Sequence, residues 1–313
     1  MIGVIIVNYN TPEDTLDCIE SIKQTCGLPY TVYIVDNMST DQSFQLLSER
    51  FNQDSCVKVM LSDRNGGYSY GNNIGIKQAI DDGCDYILIS NPDIIYEQGT
   101  IEKLYKDLQD NKKIAVVGPS TPSLDQNESQ LLRKVYTPGV YLFSKKPFLY
   151  LSKVFKGLRT EYPYPTTGDD CPWLFRGMVR GCCYMMPSEV LSAIDLLDDH
   201  VFLYSEEWIL AKKLADRGLL CGFDYSVKAL HKEATSTRKQ GTGFQSYHLY
   251  LSAYYYLDRY CHSKRPVLFF FYLQNIGSFT LKSILRPDYR KLYRKFVTTQ
   301  TELFTGKRDR IEM

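Results

Sequence analysis

Residues 86–93 read Tyr86-Ile87-Leu88-Ile89-Ser90-Asn91-Pro92-Asp93, and this stretch decides how the fold is interpreted. A short apolar run gives way to polar residues, which is typical of a buried parallel strand reaching the carboxyl edge of its sheet. Pro92 cannot donate a hydrogen bond to a neighbouring strand and its φ angle is fixed, so the chain leaves the sheet here. Ligands of open α/β sheets bind at this edge, where a fixed Asp93 carboxylate suits a divalent metal ion. The alternative is an ordinary Asn-Pro turn.

Strand-like and helix-like segments alternate with short connections before and after this stretch, as in parallel α/β units. Apolar runs predict strands over Ile2 to Val7, Val32 to Val35, Val57 to Leu61, Tyr86 to Ile89 and Ile114 to Gly118. The pattern predicts an α/β fold with a mostly parallel sheet flanked by helices.

Composition narrows the class of protein. A chain of 313 residues with 44% hydrophobic residues can fill a large core. Basic and acidic residues number 37 and 36, so no overall charge favours nucleic acid as a partner. Nine cysteines without a C-x-x-C pair or zinc spacing indicate reduced thiols in a cytoplasmic protein. The N-terminus lacks a basic segment before its apolar run, so we interpret it as a first strand and not as a signal peptide.

Polar residues follow several of the predicted strands. Asp36 comes directly after the second strand and can accept hydrogen bonds from a base or a ribose; the alternative is a helix-capping loop. The third strand leads into Asn65-Gly66-Gly67, which matches neither a dinucleotide fingerprint nor a P-loop. Glycines and amides still let a backbone approach a ligand closely.

The second half of the chain adds acids and a histidine. Glu206 and Glu207 follow an aromatic segment, Phe202 to Ser205, which we predict as a strand, and they open a helix. Acids in a first helical turn can serve only as partners of the helix dipole. His231 ends another predicted strand and is either structural or a metal ligand. Residues 119–180 between these parts are irregular and could shape an acceptor site.

Several blocks in one order carry a family resemblance, which covers about residues 1–240. They are Val4 to Asn10, Val35 to Asp41, Asn65 to Tyr68 with Asn73 and Gly75, Asn91 to Asp93, Phe202 to Glu207 with Arg217-Gly218, and His231. Together these blocks resemble the family 2 glycosyltransferases of the GT-A fold, most closely the rhamnosyltransferase-like members.

The resemblance implies a site for a nucleotide-sugar donor. Asp36 would hold the nucleobase, Asn91 could bond a ribose hydroxyl, and Asp93 would bind a Mg²⁺ or Mn²⁺ ion that bridges the donor diphosphate. His231 would complete the metal site. The other donor-binding residues it implies are Asn8, Asn65, Gly67 and Asn73.

The acid pair is similar to the family's Glu-Asp motif. Glu207 would be the general base that takes the proton of an acceptor hydroxyl, so that the sugar is transferred with inversion. Glu206 would be a supporting acid or an acceptor ligand.

The chain changes composition near residue 243. We therefore predict a catalytic domain over residues 1–242, with a nucleotide-binding half (1–118) and an acceptor half (119–242), and a helical aromatic and basic tail over residues 243–313. Tyr247, Tyr250 and Tyr254 recur at helical spacing, which favours a helix packed on the catalytic domain. Residues 264–313 hold eleven basic and four acidic residues. Basic clusters around an apolar run indicate an interfacial helix on an anionic membrane; a soluble or homo-oligomerising tail is the alternative.

The sequence thus predicts an inverting transferase that adds a sugar, with rhamnose from dTDP-rhamnose preferred, to a growing surface polysaccharide of the O-antigen or capsule type. The acceptor would be a lipid-linked glycan, and the enzyme would lie peripherally on the inner face of the cell membrane. One alternative is a UDP-hexose-dependent transferase of the same fold. Another is a catalytically silent sugar-nucleotide-binding or scaffolding subunit, motivated by Asn91 and by Ile209, which stand where many relatives have acids. A nucleotidyltransferase is disfavoured because residues 8–12 lack a glycine-rich basic loop.

Overall fold

A nine-stranded mixed β-sheet organises the molecule. The computed structural model describes residues 1–122, 174–175, 178–232 and 241–312. The strands are β1 (Ile2–Asn8), β2 (Tyr30–Asp36), β3 (Val57–Leu61), β4 (Tyr86–Ser90), β5 (Ile94–Tyr96), β6 (Ile114–Ser120), β7 (Leu174–Phe175), β8 (Cys183–Pro187) and β9 (Leu220–His231). Their order is β3-β2-β1-β4-β8-β6-β9-β5, and β7 pairs with β9.

Nine helices of the described residues connect and flank these strands. They are α1 (Pro12–Thr25), α2 (Ser43–Phe51), α3 (Tyr68–Asp81), α4 (Thr100–Asp110), α5 (Ser188–Ala193), α6 (Glu206–Ala215), α7 (Gly241–Arg259), α8 (Arg265–Leu285) and α9 (Pro287–Thr305).

The first four strands form one parallel part of the sheet, and β6 and β9 form a second parallel pair. β1 lies between β2 and β4, and β3 pairs with β2, all in parallel. β8 runs antiparallel to β4, and β5 and β7 run antiparallel to β9, so the complete sheet is mixed. The predicted α/β architecture is confirmed. Because β1, β2 and β4 are parallel, their carboxyl ends lie at one edge, and Asn8 pairs directly with Asp36 there.

Apolar side chains on both faces of the sheet form its core. Val4, Ile5 and Ile6 of β1 are all completely buried, as expected for a central strand covered by helices on both sides. Ile19 and Ile22 of α1 pack on one face, and Ile76 of α3 packs on the other. The sheet edge that carries the polar residues is therefore supported by a rigid core.

The predicted strand over Phe202 to Ser205 is wrong. This segment is a loop in which Tyr204 and Ser205 adopt positive φ angles of 68° and 69°. The Phe202 ring packs against the Phe244 and His248 rings of α7 instead of joining the sheet. The aromatic composition of the segment therefore reflects packing on the C-terminal helices.

Helices α7, α8 and α9 form a layer that packs against α6 and the loop before it. Tyr247, Tyr250 and Tyr254 of α7 are buried in one apolar cluster that also contains Phe202 and Ile209. The predicted helix therefore packs on residues 1–232, the predicted catalytic part. The predicted domain boundary at residue 242 falls in the first turn of α7. Within the described residues, no helix combines the length and the apolar character that a membrane span needs.

The predicted acceptor region lies mostly outside the described residues. Residues 123–173 and 176–177 fall outside them, and so does most of the polar stretch after His231, at residues 233–240.

Candidate active site

The carboxyl ends of β1 and β2 hold a buried carboxylate. Asp36 is fully buried and accepts hydrogen bonds from the Asn8 side chain (2.7 Å), the Ser39 backbone N–H (2.8 Å) and the Ser39 hydroxyl (2.8 Å). The Asn8 Oδ1 atom in turn accepts a hydrogen bond from the Thr15 hydroxyl of α1 (2.9 Å). A carboxylate can accept about four hydrogen bonds, so Asp36 has capacity for one more donor.

The loop between β3 and α3 approaches the second half of the chain closely. Asn37 donates to the Asn65 side chain (3.1 Å) and to the Gly67 carbonyl (3.0 Å). Gly67 has a φ of 90°, and a Cβ atom there would lie 2.1 Å from the Phe202 carbonyl oxygen. The Tyr68 N–H also donates to that oxygen (3.0 Å). Only glycine fits this contact, which joins the glycine loop to the loop before Glu206.

Asn73 has a different environment from the other predicted donor-binding residues. Its Nδ2 atom donates to the Leu197 carbonyl (2.8 Å), and its Oδ1 atom accepts from the Leu197 N–H (3.1 Å). Both ends of the amide are occupied by protein backbone, which gives the side chain a packing role. Its part in donor binding stays a prediction.

The turn after β4 brings Asp93 and His231 together. The Asn91 N–H donates to the Cys182 carbonyl (2.8 Å), which ties the turn to the segment before β8. β5 follows directly and pairs antiparallel with β9, with Ile94 opposite His231. The Nε2 atom of His231 lies 3.2 Å from Oδ2 of Asp93. These two residues are separated by more than a hundred positions, and the sheet places them in contact.

Asp93 and His231 fit a divalent metal ion. Both side chains are largely buried, and the contact of Nε2 with Asp93 lacks hydrogen-bond geometry, so this buried nitrogen has no hydrogen-bond partner within the described part of the chain. A buried polar atom without a partner is costly unless a ligand satisfies it. Carboxylate oxygen and imidazole nitrogen are both common metal ligands.

The two acids at 206 and 207 lie in the first turn of α6. The positive φ angles of Tyr204 and Ser205 just before them are strained for residues with side chains, and such strain is concentrated at functional sites. The Glu207 Oε1 atom accepts a hydrogen bond from the Gly181 N–H (3.2 Å). The Gly181 carbonyl accepts one from the Tyr68 hydroxyl. Gly181 therefore links the second acid to the start of α3.

Glu206 is an unusual carboxyl group. Burial, reinforced by the neighbouring charge of Glu207, holds the pKa of Glu206 well above its usual range. Its Oε2 atom is buried and has no hydrogen-bond partner among the residues that the structure describes. The raised pKa favours the protonated form of Glu206, in which the carboxyl group can donate a hydrogen bond.

The surroundings of Cys182 show that the pair Asp93 and His231 lies near the pair Glu206 and Glu207. Burial is the main reason that the pKa of this thiol is raised to about 11; Arg180 and Thr121 lower it, and the charges of Asp93 and Glu207 raise it. Both carboxylates therefore lie near one thiol. Asp36 ends β2 and Asp93 follows β4, at the same edge of the parallel strands, and β8 begins there with Cys183 opposite Ser90. His231 contacts Asp93, and Glu207 is bonded to Gly181 just before β8, so both lie on the same side of the sheet.

Sequence reasoning missed Gly181 and Cys182 as parts of this site. Their backbone atoms bond Glu207 and Asn91, which lie far away along the chain. A glycine directly before an apolar strand was the available signal, since glycine often marks a close backbone approach.

Asp198, Asp199 and His200 form a second group of potential metal ligands. Their ligand atoms are within 4.8 Å of one another. Asp198, however, already accepts hydrogen bonds from the Tyr255 and Tyr260 hydroxyls and from the His200 N–H. These bonds give the group a structural role at the C-terminal end of α7.

Comparison with known proteins gives the family. Residues 3–179 match the family described as glycosyl transferase family 2. The chain belongs to this family. The predicted resemblance is thereby confirmed, and the protein is a glycosyltransferase.

Individual family 2 relatives are distant. The chain is 30% identical over 118 residues to the glycosyltransferase GlyG of Streptococcus pneumoniae serotype 4, and the match covers 38% of each chain. It is 22% identical over 277 residues to the N-acetylglucosaminyl-diphospho-decaprenol L-rhamnosyltransferase of Mycobacterium tuberculosis, over 83% of this chain and 85% of the relative.

Solved structures of other glycosyltransferases share the fold. The mannosyltransferase PcManGT from Pyrobaculum calidifontis, in complex with GDP-Man and Mn²⁺, superimposes with a TM-score of 0.56 at 13% identity, over 98% of this chain and 85% of that one. The predicted GT-A fold is confirmed for this family 2 member.

Proposed function

We propose that the protein is an inverting glycosyltransferase that moves a sugar, rhamnose from dTDP-rhamnose, to a hydroxyl group of a growing surface polysaccharide of the O-antigen or capsule type. The observation that carries the proposal is the acid pair. Glu206, whose buried carboxyl group has a raised pKa, lies beside Glu207, which accepts a hydrogen bond from Gly181 within the neighbourhood of Asp93. The choice of rhamnose rests on the subtype resemblance and on the name of the mycobacterial relative.

Glu207 is the general base of this proposal. Its carboxylate takes the proton from the acceptor hydroxyl while that oxygen forms a bond to the anomeric carbon of the sugar. The bond from the anomeric carbon to the diphosphate oxygen breaks, and the nucleoside diphosphate leaves with the bonding electrons. Attack and departure on opposite faces invert the configuration. The hydrogen bond from the Gly181 N–H fixes the direction of the carboxylate.

Glu206 supports this step as a neutral acid. Two ionised carboxylates in adjacent positions repel each other, and the raised pKa of Glu206 removes one of the two charges. The proton on Glu206 can then be donated to a second oxygen of the acceptor sugar, which orients the sugar toward Glu207.

The residues around Asp36 bind the nucleoside in this proposal. Asp36 accepts one further hydrogen bond from the base, and Asn8 fixes the carboxylate that does so. Asn65 and Gly67 belong to a loop whose backbone can approach the ligand closely, and Asn91 bonds a ribose hydroxyl.

Asp93 and His231 would hold the metal ion, Mg²⁺ or Mn²⁺. A bound divalent ion offsets the negative charge that develops on the departing diphosphate. The buried Nε2 atom of His231, which lacks a hydrogen-bond partner within the described residues, supports this assignment.

The acceptor of the proposal is a lipid-linked glycan, and the enzyme works as a peripheral protein on the inner face of the cell membrane. The basic and aromatic tail supports this placement.

Release of nucleoside diphosphate from a panel of dTDP-, UDP- and GDP-sugars tests the proposal. We expect dTDP-rhamnose to give the fastest release with Mn²⁺ or Mg²⁺ present, and a UDP-hexose preference would select the alternative transferase. Glu207→Gln should reduce release by about a hundredfold or more, since loss of a general base costs on that scale. Glu189→Gln, the same change in the first turn of α5, is the matched control and should leave release unchanged.

A catalytically silent binding subunit is the second candidate, motivated by Asn91 and Ile209. Ile209 has a packing reason, because it is buried against the aromatic residues of α7, which weakens this motive. Thermal stabilisation by sugar nucleotides, with and without Mn²⁺, separates the candidates. Stabilisation together with equally slow release by wild type and Glu207→Gln would favour the silent subunit.

A further inference from the structure

Helix α8 has two apolar faces, and only one of them packs on the protein. Leu268, Phe271 and Phe279 are buried in the cluster formed with α7 and α9. On the opposite side, Leu273, Leu281 and Ile284 are 50%, 61% and 63% exposed. Their positions differ by eight and three residues, which places them on one side of a helix. We refer to these three residues as the outer face.

Positive charge predominates around the outer face. Residues 260–287 contain no Asp or Glu, and Asp288, the next acid along the chain, pairs with Arg286 (3.4 Å). Lys264 and Arg265 precede α8 or open it, and Arg286 follows it; all three are exposed. The N-terminal end of the outer face is therefore basic, and its C-terminal end carries one compensated arginine.

Helix α9 adds a basic row beside α8. Arg290 donates to the Ser283 and Ile284 carbonyls at the end of α8 (3.2 and 2.9 Å). Arg294 lies four positions after Arg290 on the same side of α9, and we refer to these two arginines as the basic row. Thr301, eleven positions after Arg290, continues the same side of the helix. The Thr301 hydroxyl lies 3.2 Å from that of Tyr272 of α8, so this side of α9 borders α8 along its length.

We propose that the outer face of α8 and the basic row of α9 form a docking surface for an anionic lipid bilayer. The inference deepens the proposed function, on which it rests, by naming the surface that brings the enzyme to a lipid-linked acceptor. Apolar side chains of an interfacial helix enter the boundary between headgroups and acyl chains, and basic side chains contact anionic headgroups. The helix lies on the membrane, consistent with the lack of a spanning helix in the described residues.

Charge argues against a second copy of the chain as the occupant. A two-fold interface brings the same surface of each copy together. Residues 264–295 hold eight basic residues and one acid, Asp288, which already pairs with Arg286, so a pairing of two outer faces would bring like charges together. An anionic bilayer has the complementary charge.

Co-sedimentation of the full chain with vesicles tests the docking surface. Vesicles of phosphatidylcholine alone are compared with vesicles that also contain phosphatidylglycerol. We expect the protein to bind the anionic vesicles and to dissociate as salt is raised. Leu273→Ser with Leu281→Ser should weaken binding by about tenfold or more. Lys291 and Arg294 are exposed basic residues of α9, and Lys291→Gln with Arg294→Gln should weaken binding and flatten its salt dependence.

Matched controls change the same residue types elsewhere on the surface. Leu46→Ser with Leu61→Ser, and Lys77→Gln with Lys106→Gln, alter exposed residues of other elements and should bind as wild type does. Equal binding by the α8 variants and their controls would overturn the proposal. So would a wild-type dimer that ignores vesicles and dissociates in Leu273→Ser with Leu281→Ser.

Nucleoside diphosphate release in solution, measured on the same variants, separates this inference from the proposed function. Vesicle binding without release would leave the docking surface standing and reject the enzyme activity. Release without vesicle binding would support the enzyme activity and overturn the docking surface.

Discussion

Glu206 is a carboxyl group that folding places in an unfavourable environment. Its pKa in the folded protein is raised well above the ordinary value of 4.5, first by burial and then by the charge of Glu207. Between these two pKa values the folded protein binds one more proton than the unfolded chain. Stability must therefore fall as the pH rises through that window. Such a cost is consistent with the proposed role of Glu206 as a neutral acid beside the general base.

Glu206→Gln removes this titration. We expect the variant to gain stability relative to wild type between pH 5 and pH 8, by on the order of 1 kcal/mol or more, because glutamine has no proton to lose. Urea unfolding at the two pH values measures the change. Glu189→Gln, an exposed first-turn acid of α5, should show no such gain. A Glu206→Gln advantage that stays constant from pH 5 to pH 8 would contradict the prediction.

Single residues differ in how far sequence alone could place them. Asp36 and Asp93 were predictable because each directly follows an apolar run, and the parallel sheet brings strand ends to one edge. The bonds of Asn73 to Leu197 join residues 124 positions apart, and no local pattern encodes such a partner. The pKa of Glu206 likewise depends on burial by distant segments.

At the scale of elements, one loop residue fastens α7 to the catalytic part. Asp198, in the loop after α5, is almost completely buried and accepts hydrogen bonds from Tyr255 (3.0 Å) and Tyr260 of the α7 region. Burial alone would raise its pKa, but the bonds from Tyr260 and from the His200 N–H and ring outweigh it, so the pKa of Asp198 is lowered. A carboxylate with a lowered pKa stabilises the fold above its unfolded pKa, and this stabilisation is lost on acidification.

Asp198→Ala should lower the free energy of unfolding by about 2 to 4 kcal/mol, because it leaves buried hydroxyl groups without their acceptor. Asp199→Ala is the matched control. Asp199 is more exposed, and its ion-pair contacts are with Arg310 (3.0 Å) and the His200 ring (3.8 Å), so its loss should cost less than about 1 kcal/mol. Urea denaturation followed by tyrosine fluorescence gives both values. Equal losses in the two variants would show that Asp198 does not fasten α7.

Elements with a clear apolar period were predictable, and those shaped by packing against distant helices were not. The five strands predicted from apolar runs in the first 118 residues all form, because a buried central strand needs apolar side chains on both faces. Phe202 to Ser205 has a similar composition, yet its aromatic ring faces α7 and its backbone turns with positive φ angles. Aromatic content alone cannot distinguish these two environments.

At the scale of the whole molecule, the C-terminal helices and the catalytic part share one apolar cluster. Phe202, before the acid pair, and Ile209, after it, both pack with residues of α7. The position of Glu206 and Glu207 therefore depends on the tail as well as on the sheet. Helices α7 to α9 support the site from one side, while the outer face of α8 remains directed to solvent.

His248 of α7 lies at the centre of this contact. It is 1% exposed, packs against the Phe202, Phe244 and Tyr247 rings, and its Nδ1 atom has no hydrogen-bond partner in the described residues. Burial, with a smaller contribution from the charge of Lys295, lowers the pKa of His248 to about 3. The imidazole is therefore neutral in the folded protein at physiological pH.

This histidine makes the association of tail and catalytic part sensitive to acid. Below the ordinary histidine pKa of 6.5 the unfolded chain takes up a proton that the folded protein refuses until about pH 3. Stability must fall on acidification through that window, by up to about 1.4 kcal/mol per pH unit for this one group. We therefore expect the free energy of unfolding of His248→Phe to fall by about 2 kcal/mol less than that of wild type between pH 7 and pH 5, as measured by urea unfolding. His262→Asn, a change at an exposed position, is the control and should follow wild type. Equal losses of stability in His248→Phe and wild type would contradict the prediction. The folded protein would then have to accommodate a charged imidazole against the Phe202 ring.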